Sequence, residues 1–335
     1  MLTTVTLPKE DSTMAQCGYL LKNNEQCPHP AAGNGLCFWH DPTQEKTDPK
    51  YSQELEALAR SGHSLEGFAL KGANLEGINL VKRGEHKGYD LRYVDLYRAD
   101  LHGAHLFMAD LRGASLMKAN LCDANLHYTN LKDVNLLGTK LTGAKIENVI
   151  WGEKLLQEQR AEDALKENNL SLAYDYLEQT EEICRNIRNV AAHQGLVDMA
   201  GHFFHKEMTA KRKQHPKWSV KRAISKFVDL TCGYGERPMN VIYFSWTVIL
   251  FTSIAFYFFG VLEQGQLIRW NSVSDNGIVK DMLTCLYYSV VSFTTLGYGD
   301  IIPVGYSRFF AAAEAFTGSF TLALFVVVFV KKMTR

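Results

Sequence analysis

The chain has 335 residues, of which 46% are hydrophobic, and its 36 Lys and Arg residues equal its 36 Asp and Glu residues in number. The balanced charge excludes a disordered polyelectrolyte and gives no global reason to expect nucleic acid as a partner. Seven cysteines are too few for a disulfide scaffold, and the length favours more than one structural unit. The N-terminal stretch MLTTVTLPKEDSTMAQ lacks an apolar run, so we expect no cleavable signal peptide.

The first 45 residues contain three cysteines and a histidine with the spacing C-x9-C-x9-C-x2-H. Three thiolates and an imidazole form a tetrahedral zinc set, and Cys-x2-His is a spacing that one metal ion bridges. We therefore predict a zinc-finger-like module with a structural zinc ion over residues 1–45, followed by a linker over residues 46–62. The expected ligands are Cys17, Cys27, Cys37 and His40, with His29 as a substitute. Free thiols in a loose tail are the alternative.

The segment 63–150 repeats every five residues. Leucine recurs in steps of five from Leu65 to Leu80 and from Leu91 to Leu141, and Ile146 completes the series. A small residue, mostly Ala, lies two positions before most of these leucines. A period of five matches neither a helix nor a strand, but it suits a solenoid with one pentapeptide per side and inward-pointing Leu and Ala. The longer step from Leu80 to Leu91 predicts a bulge or short loop at Arg83–Gly88.

This repeat resembles the pentapeptide-repeat family, and the resemblance implies a right-handed quadrilateral β-helix over residues 63–150. Some members of that family mimic DNA, which requires a strongly negative surface. Residues 63–150 contain ten Asp and Glu residues against eleven Lys and Arg residues. We therefore expect no nucleic-acid partner, and interpret the repeat as a rigid platform for assembly or for an unidentified cytoplasmic regulator.

The segment 151–236 has helical spacing and predicts a cytoplasmic helical linker. Its second part, residues 206–226, holds eight Lys and Arg residues and one acid, and it lies just before a long apolar run. Basic groups at that place favour anionic lipids, and a solvated charged face is the alternative. The candidate lipid contacts are Lys211, Arg212, Lys213, Trp218, Lys221 and Arg222.

Two apolar stretches in the last hundred residues are each long enough to cross a bilayer once. Residues 240–262 carry no charge, and residues 309–330 carry one, Glu314. Lys and Arg flank the two stretches on their outer sides, which predicts that both termini are cytoplasmic and that residues 263–308 lie on the far side. Two buried helices of a soluble domain are the alternative.

The sequence between these stretches, CLYYSVVSFTTLGYGDIIPV at Cys285–Val304, resembles the pore region of tetrameric potassium channels. The resemblance implies a multi-pass pore domain over residues 237–335 in the cell (inner) membrane, assembled as a homotetramer with K⁺ as the permeant ion. Its expected parts are an outer helix at 240–262, a pore helix at 281–293, a re-entrant loop with the selectivity filter at 295–300, and an inner helix at 306–330. The filter residues are Thr295, Leu296, Gly297, Tyr298, Gly299 and Asp300, and Thr294 precedes them.

A potassium filter must replace the hydration shell of the ion with carbonyl oxygens. Gly297 and Gly299 permit the alternating backbone conformation that turns all carbonyls to one axis. We expect Tyr298 to face away from the axis and pack against the pore helix. Val291 stands where some relatives carry a Glu behind the filter, so Asp300 must find another partner.

The inner helix carries four candidate pore or gating residues. We interpret Glu314 as a hydrogen-bonding partner of the pore-helix backbone, with a gating role as the alternative. Gly318 is a gating hinge or a position of close helix packing. Leu322 and Val326 follow it by about one and two helical turns and are expected to line the inner cavity.

Together these patterns predict a potassium-selective channel with a cytoplasmic pentapeptide-repeat domain. A membrane-anchored pentapeptide scaffold and a less selective cation channel are the alternatives. The sequence has neither a phosphate-binding glycine loop nor a nucleophile–base signature, so nothing indicates an enzyme.

Overall fold

The computed structural model describes residues 15–22, 24–82, 84, 87–270 and 277–333. The chain divides into two compact units, Met1–Gln214 and His215–Arg335. The first contains the pentapeptide repeat and the second contains the two apolar stretches, and each is built around its own buried clusters.

Parallel backbone bridges stack the pentapeptides of the first unit into coils. Asp90 pairs with Asp110, so one coil takes 20 residues, or four pentapeptides. The bridge from Ala69 to Asp95 spans 26 residues because the chain has six extra residues between the first two coils. Those extra residues fall at the predicted bulge, Arg83–Gly88, of which residues 83, 85 and 86 lie outside the described residues.

The repeating leucines form the interior of this stack. Each leucine of the series from Leu65 to Leu141, and Ile146, is at most 3% exposed, and the alanines two positions before them are equally buried. Each buried leucine stabilises the stack by roughly 1.5–3 kcal/mol. Backbone N–H groups donate from one coil to the next, as from Leu111 to the carbonyl of Asn130 at 3.0 Å. The inward orientation that the five-residue period indicates is therefore observed.

Helices lie at both ends of the repeat in the sequence. Helix α1, Lys50–Arg60, occupies the segment predicted to be a linker, and its Leu55 and Ala59 are buried in the same cluster as the repeat. The segment therefore differs from an open linker, because its apolar side chains recur at a helical spacing and pack on the stack. After the repeat come α2 (Leu156–Lys166), α3 (Leu170–His193) and α4 (Val197–Lys213), which pack on one another.

The second unit contains two helices that are long and apolar enough to cross a membrane. They are α6 (Pro238–Phe259) and α8 (Ser307–Met333). Helix α5 (Val220–Cys232) and a 3₁₀ turn at Gly233–Gly235 precede them, and α7 (Ile278–Phe293) lies between them. Gly233 and Tyr234 have positive φ, which ends α5 and makes this GYG an ordinary turn.

The predicted outer helix, 240–262, ends three residues early. Gly260, with φ of 100°, stops α6, and the chain continues as strand β1, Val261–Glu263. Strands β2 (Gln266–Ile268) and β3 (Ile301–Pro303) both pair with β1 in an antiparallel sheet of order β2-β1-β3. An apolar composition does not distinguish strand from helix over so few residues, so the sequence predicted a continuous helix here.

Candidate functional site

Residues 294–300 directly follow helix α7, the predicted pore helix, and have an alternating backbone. Thr295, Gly297 and Gly299 have φ values of 58°, 59° and 80°, so every second residue is in the left-handed region. Glycine enters this region freely, whereas a β-branched residue such as Thr295 is strained there. Alternation of this kind turns successive peptide groups toward the same side, as a row of ion-binding carbonyls requires.

The start of this loop is fixed to the last turn of α7. The Leu296 N–H donates to the carbonyl of Val291 at 3.0 Å, and the Thr294 hydroxyl donates to the carbonyl of Val290 at 2.7 Å. The hydroxyl of Thr295 donates to the carbonyl of Thr294 at 2.7 Å. The pore helix therefore sets the position and direction of the chain as it enters the candidate filter.

Asp300, at the other end of the loop, is held by a tyrosine of the pore helix. The Tyr287 hydroxyl donates to Oδ2 of Asp300 at 2.9 Å. Because residue 291 is Val, the sequence predicted a different partner for Asp300 but did not identify that partner as Tyr287. The signal that was available is the Tyr287-Tyr288 pair on α7, two and three residues from Cys285.

The side chain of Tyr298 lies differently from the prediction. It is 68% exposed and Leu296 is 59% exposed, so Tyr298 does not pack against the pore helix of its own chain. In a single chain, no neighbouring loop is present to bury this aromatic side chain.

The exit of the loop is tied to the end of the outer helix by the small sheet. Strand β3 begins one residue after Asp300, and its Ile301 pairs with Glu263 of β1. The Ser307 hydroxyl donates to the carbonyl of Gly260 at 2.7 Å. These contacts, which the sequence did not predict, hold the segment after the candidate filter against Gly260, the residue at which α6 ends.

Glu314 connects three helices within the second unit. Its Oε1 accepts from the hydroxyl of Ser289 on α7 and from that of Thr252 on α6, both at 2.5 Å. The Ser289 hydroxyl also lies 2.8 Å from the carbonyl of Ile249. Glu314 is 1% exposed, and among the described residues its Oε2 has no hydrogen-bond partner. The predicted contact with the pore helix is therefore made through the Ser289 side chain and not through backbone.

Gly318, one turn beyond Glu314, lies against the C-terminal end of the pore helix. A Cβ atom built on Gly318 would come 1.9 Å from the carbonyl oxygen of Phe293. Helix α8 continues unbroken through this position from Ser307 to Met333. Of the two roles that the sequence left open, close packing is the one with a contact that requires glycine.

Leu322 and Val326 lie further along α8 and are both exposed in the single chain, at 42% and 58%. The buried residues of this helix are Ser307, Glu314, Gly318, Thr321 and Val328. Leu322 and Val326 therefore lie off the face that packs on α6 and α7, where further copies of the helix can approach.

The four predicted metal ligands are brought together in the first unit. One donor atom from each of Cys17, Cys27, Cys37 and His40 lies within 4.8 Å of the others, and all four side chains are buried. The Nδ1 atom of His40 is 3.2 Å from Sγ of Cys37 and 3.6 Å from Sγ of Cys17. Tetrahedral zinc with bonds of about 2.3 Å places its ligands roughly 3.8 Å apart, so the donor set and its size fit one zinc ion.

The protonation of these groups follows from their surroundings. Burial raises the pKa of Cys27 to about 12 and also raises the pKa of Cys37. Burial opposes ionisation of Cys17 as well, but hydrogen bonds from the backbone N–H groups of Tyr19 and Cys37, together with those from the side chains of Cys37 and Cys27, outweigh it and lower the pKa of Cys17. Burial lowers the pKa of His40, which keeps the imidazole neutral as a metal ligand requires. His29 is outside this group, and its ring stacks on His63 at 5.1 Å.

The candidate lipid-binding residues are divided between the two units. Lys211, Arg212 and Lys213 form the last turn of α4, whereas Lys221 and Arg222 are in the first turn of α5. Trp218 is 97% exposed, and the Arg222 guanidinium donates to the carbonyl of His215 at 2.9 Å. A row of exposed apolar side chains on α5 was not predicted from the sequence. Its exposed members are Val220, Ile224, Phe227 and Leu230.

Comparison with known proteins gives two family matches. Residues 244–335 match the ion channel family, and residues 88–116 and 114–150 match pentapeptide repeats in eight copies. No curated protein matches the chain.

Solved structures of pentapeptide repeat proteins are similar to part of the chain. HetL from the cyanobacterium Nostoc sp. strain PCC 7120, which is involved in heterocyst differentiation regulation, is 28% identical over 25% of this chain and 40% of its own, with a TM-score of 0.17. A second protein from Nostoc is 27% identical over 37% of this chain and 95% of its own, with a TM-score of 0.16. One from the thylakoid lumen of Arabidopsis thaliana is 30% identical over 29% of this chain and 74% of its own, with a TM-score of 0.10. The chain thus spans about 40% of the length of HetL.

The two matches cover the two features that the residues themselves define, the five-residue repeat and the loop between two apolar helices. The chain is a membrane protein that joins a pentapeptide-repeat segment to a domain of the ion channel family.

Proposed function

We propose that this chain forms the pore of a potassium-selective channel in the cell (inner) membrane. The observation that carries the proposal is the alternation of left-handed residues at Thr295, Gly297 and Gly299, in a Thr-Thr-Leu-Gly-Tyr-Gly-Asp loop between a pore helix and an inner helix. Passing K⁺ in preference to Na⁺ requires closely spaced carbonyl rings, and this backbone can supply one strand of each ring. The role is therefore conduction and not catalysis.

The pore is proposed to be a homotetramer. One loop provides a single carbonyl at each level, whereas an ion needs a ring of them. Exposed Tyr298 in the filter and exposed Leu322 and Val326 on the inner helix support further copies of the chain as neighbours. In that assembly Tyr298 packs on a neighbouring subunit, while Leu322 and Val326 line the inner cavity.

Both termini are proposed to be cytoplasmic, with α5 lying on the inner leaflet. The exposed row Val220, Ile224, Phe227 and Leu230 would face acyl chains, while basic residues of the same segment meet anionic headgroups. Helix α5 is followed after a short turn by the membrane-spanning α6, which supports lipid as the partner of this row.

The first unit is proposed to be a cytoplasmic platform. Its repeat would form a right-handed quadrilateral β-helix, and its outward polar positions would assemble subunits or bind a regulator. The Cys17, Cys27, Cys37 and His40 set would hold a structural zinc ion, because four protein ligands leave no open coordination position for catalysis.

Reconstitution into lipid bilayers tests the channel. Reversal potentials in opposing K⁺ and Na⁺ solutions should follow the K⁺ gradient, and the mass in gentle detergent should be that of four chains. A reversal potential near zero would identify a less selective cation channel. A folded protein without any conductance would favour a membrane-anchored scaffold.

A further inference from the structure

The N-terminal module covers the first coil of the repeat. The Trp39 ring stacks on that of Phe68 at 5.6 Å, and the Trp39 carbonyl accepts from the N–H of Ala69 at 2.8 Å. Tyr19 closes over Gly67 so tightly that a Cβ there would lie 1.9 Å from the tyrosine hydroxyl. Solenoid proteins need a distinct structure at each end because the terminal repeat would otherwise expose its apolar interior. The module meets this need for Leu65 and Phe68, both fully buried.

Glu66 of the first coil is also bound by the module. Its buried carboxylate accepts from the backbone N–H of Lys22 at 2.8 Å and forms an ion pair with Arg92 at 2.8 Å. The contact between module and repeat is therefore polar as well as apolar, which fixes its orientation.

His40 faces the metal cluster with one ring nitrogen and the repeat with the other. Nδ1 lies among the thiols, whereas Nε2 is 2.9 Å from the carbonyl oxygen of Glu66. Since a carbonyl only accepts, Nε2 carries the hydrogen and Nδ1 presents its lone pair to the cluster. Histidine ligands are oriented by such contacts of the second nitrogen. A metal ion bound here would thus be connected to the first coil through His40, by a coordinate bond to Nδ1 and a hydrogen bond from Nε2 to the carbonyl of Glu66.

The buried lysine Lys46 follows the cluster in the sequence. Lys46 is completely buried, and its Nζ donates to the carbonyls of Asp41 and Gln44 at 2.9 and 3.2 Å. Burial lowers the pKa of Lys46, whereas negative charge on Asp41, and on Cys37 once its thiol is ionised, raises it. Three thiolates around a divalent ion carry a net charge of −1, so a loaded cluster gives the buried ammonium a nearby countercharge.

We propose that a divalent metal ion, held by Cys17, Cys27, Cys37 and His40 and balanced by Lys46, fastens the N-terminal module onto the first coil as its cap. This inference rests on the metal assignment proposed above and is independent of ion conduction. Loss of the metal should open the first coil. The last coil should stay closed, because its end is covered separately, for example by Trp151 packed on Phe203 at 5.4 Å.

Hydrogen exchange in the full-length protein in detergent tests the cap. Zinc is removed with a chelator, bound metal is counted, and exchange is followed in residues 65–80 and 131–146. We expect exchange in the first coil to accelerate on metal removal, with the last coil unchanged, and protection to return with added Zn²⁺. Metal loss that leaves the first coil fully protected would overturn the cap while leaving the metal site intact.

Variants test the metal site and the countercharge of Lys46 separately. Cys37→Ser should lose the metal and open the first coil, whereas Cys122→Ser, a cysteine of the repeat outside the cluster, should do neither. Lys46→Met should weaken zinc binding by about tenfold, as changes around metal ligands commonly do, while Lys46→Arg keeps the charge. The exposed Lys50→Met is the matched control. Wild-type protein that binds no zinc would refute the metal assignment, and full zinc affinity in Lys46→Met would refute the countercharge.

Discussion

The carboxylate of Glu314 on the inner helix accepts a hydrogen bond from the hydroxyl of Ser289 on the pore helix, 2.5 Å away. The same oxygen accepts from Thr252 on α6, so one buried atom joins helices α6, α7 and α8. Ser289 lies six residues before Thr295. We infer that this contact lets the inner helix position the support of the candidate filter.

The first prediction is an energetic coupling between Glu314 and Ser289. Hydrogen bonds between membrane helices contribute about 0.6 kcal/mol on average and up to about 1.7 kcal/mol, and this buried pair should lie toward the upper value. A double-mutant cycle of Glu314→Ala and Ser289→Ala, measured by unfolding in detergent, gives the coupling. Glu314→Gln should retain most of it because Oε1 is kept. Thr317→Ala, on the exposed side of the same helix, is the control, and strictly additive losses would contradict the contact.

The second prediction concerns Gly318. Gly318→Ala should push the pore helix away, because the new methyl group would meet the carbonyl of Phe293 at 1.9 Å. Overpacking of this kind costs about 1–3 kcal/mol. The unfolding temperature and the ion flux should both fall in Gly318→Ala. Ser319→Ala, at the next, exposed position, should change neither. A flux defect with unchanged stability would instead favour the hinge.

The third prediction compares two Gly-Tyr-Gly sequences in one chain. Gly299 and Gly235 have nearly the same φ, 80° and 81°, so alanine is strained at both by about 1–2 kcal/mol. Gly299→Ala should abolish discrimination between K⁺ and Na⁺, since only that glycine belongs to the proposed filter. Gly235→Ala should preserve the reversal potential. Equal effects of the two substitutions would remove residues 295–299 as the source of selectivity.

The fourth prediction is a pH dependence of metal binding. Without metal, Cys27 and Cys37 are protonated at neutral pH because burial raises their pKa, to about 12 for Cys27. A divalent ion must displace these protons, so zinc affinity should rise with pH. For each proton released on binding, a decrease of one pH unit should lower the affinity by about tenfold. Competition titrations with a zinc indicator at several pH values measure the slope. A slope of zero would exclude thiolate ligands.

The patterns that the sequence determined are those repeated or unbroken along the chain. Leucine at every fifth residue is sufficient to predict the buried interior of the repeat, because each side of a coil must place the same residue inward. Two long stretches with at most one charge are sufficient to predict α6 and α8. The C-x9-C-x9-C-x2-H spacing likewise identified four side chains that the fold brings together.

Only the tertiary structure decided which distant residues meet. Tyr287 as the partner of Asp300, Ser289 and Thr252 as the partners of Glu314, and the pairing of β1 with β3 all depend on how α6, α7 and α8 pack. Tyr298 was predicted to pack on the pore helix but is exposed in the single chain, because no described residue of this chain covers it. In the first unit, the hydrogen bond between His40 and Glu66 joins the cluster of candidate metal ligands to the repeat across 26 residues. Local period and composition carry no information about such contacts, since they arise from the geometry of packed elements and not from the order of residues within one.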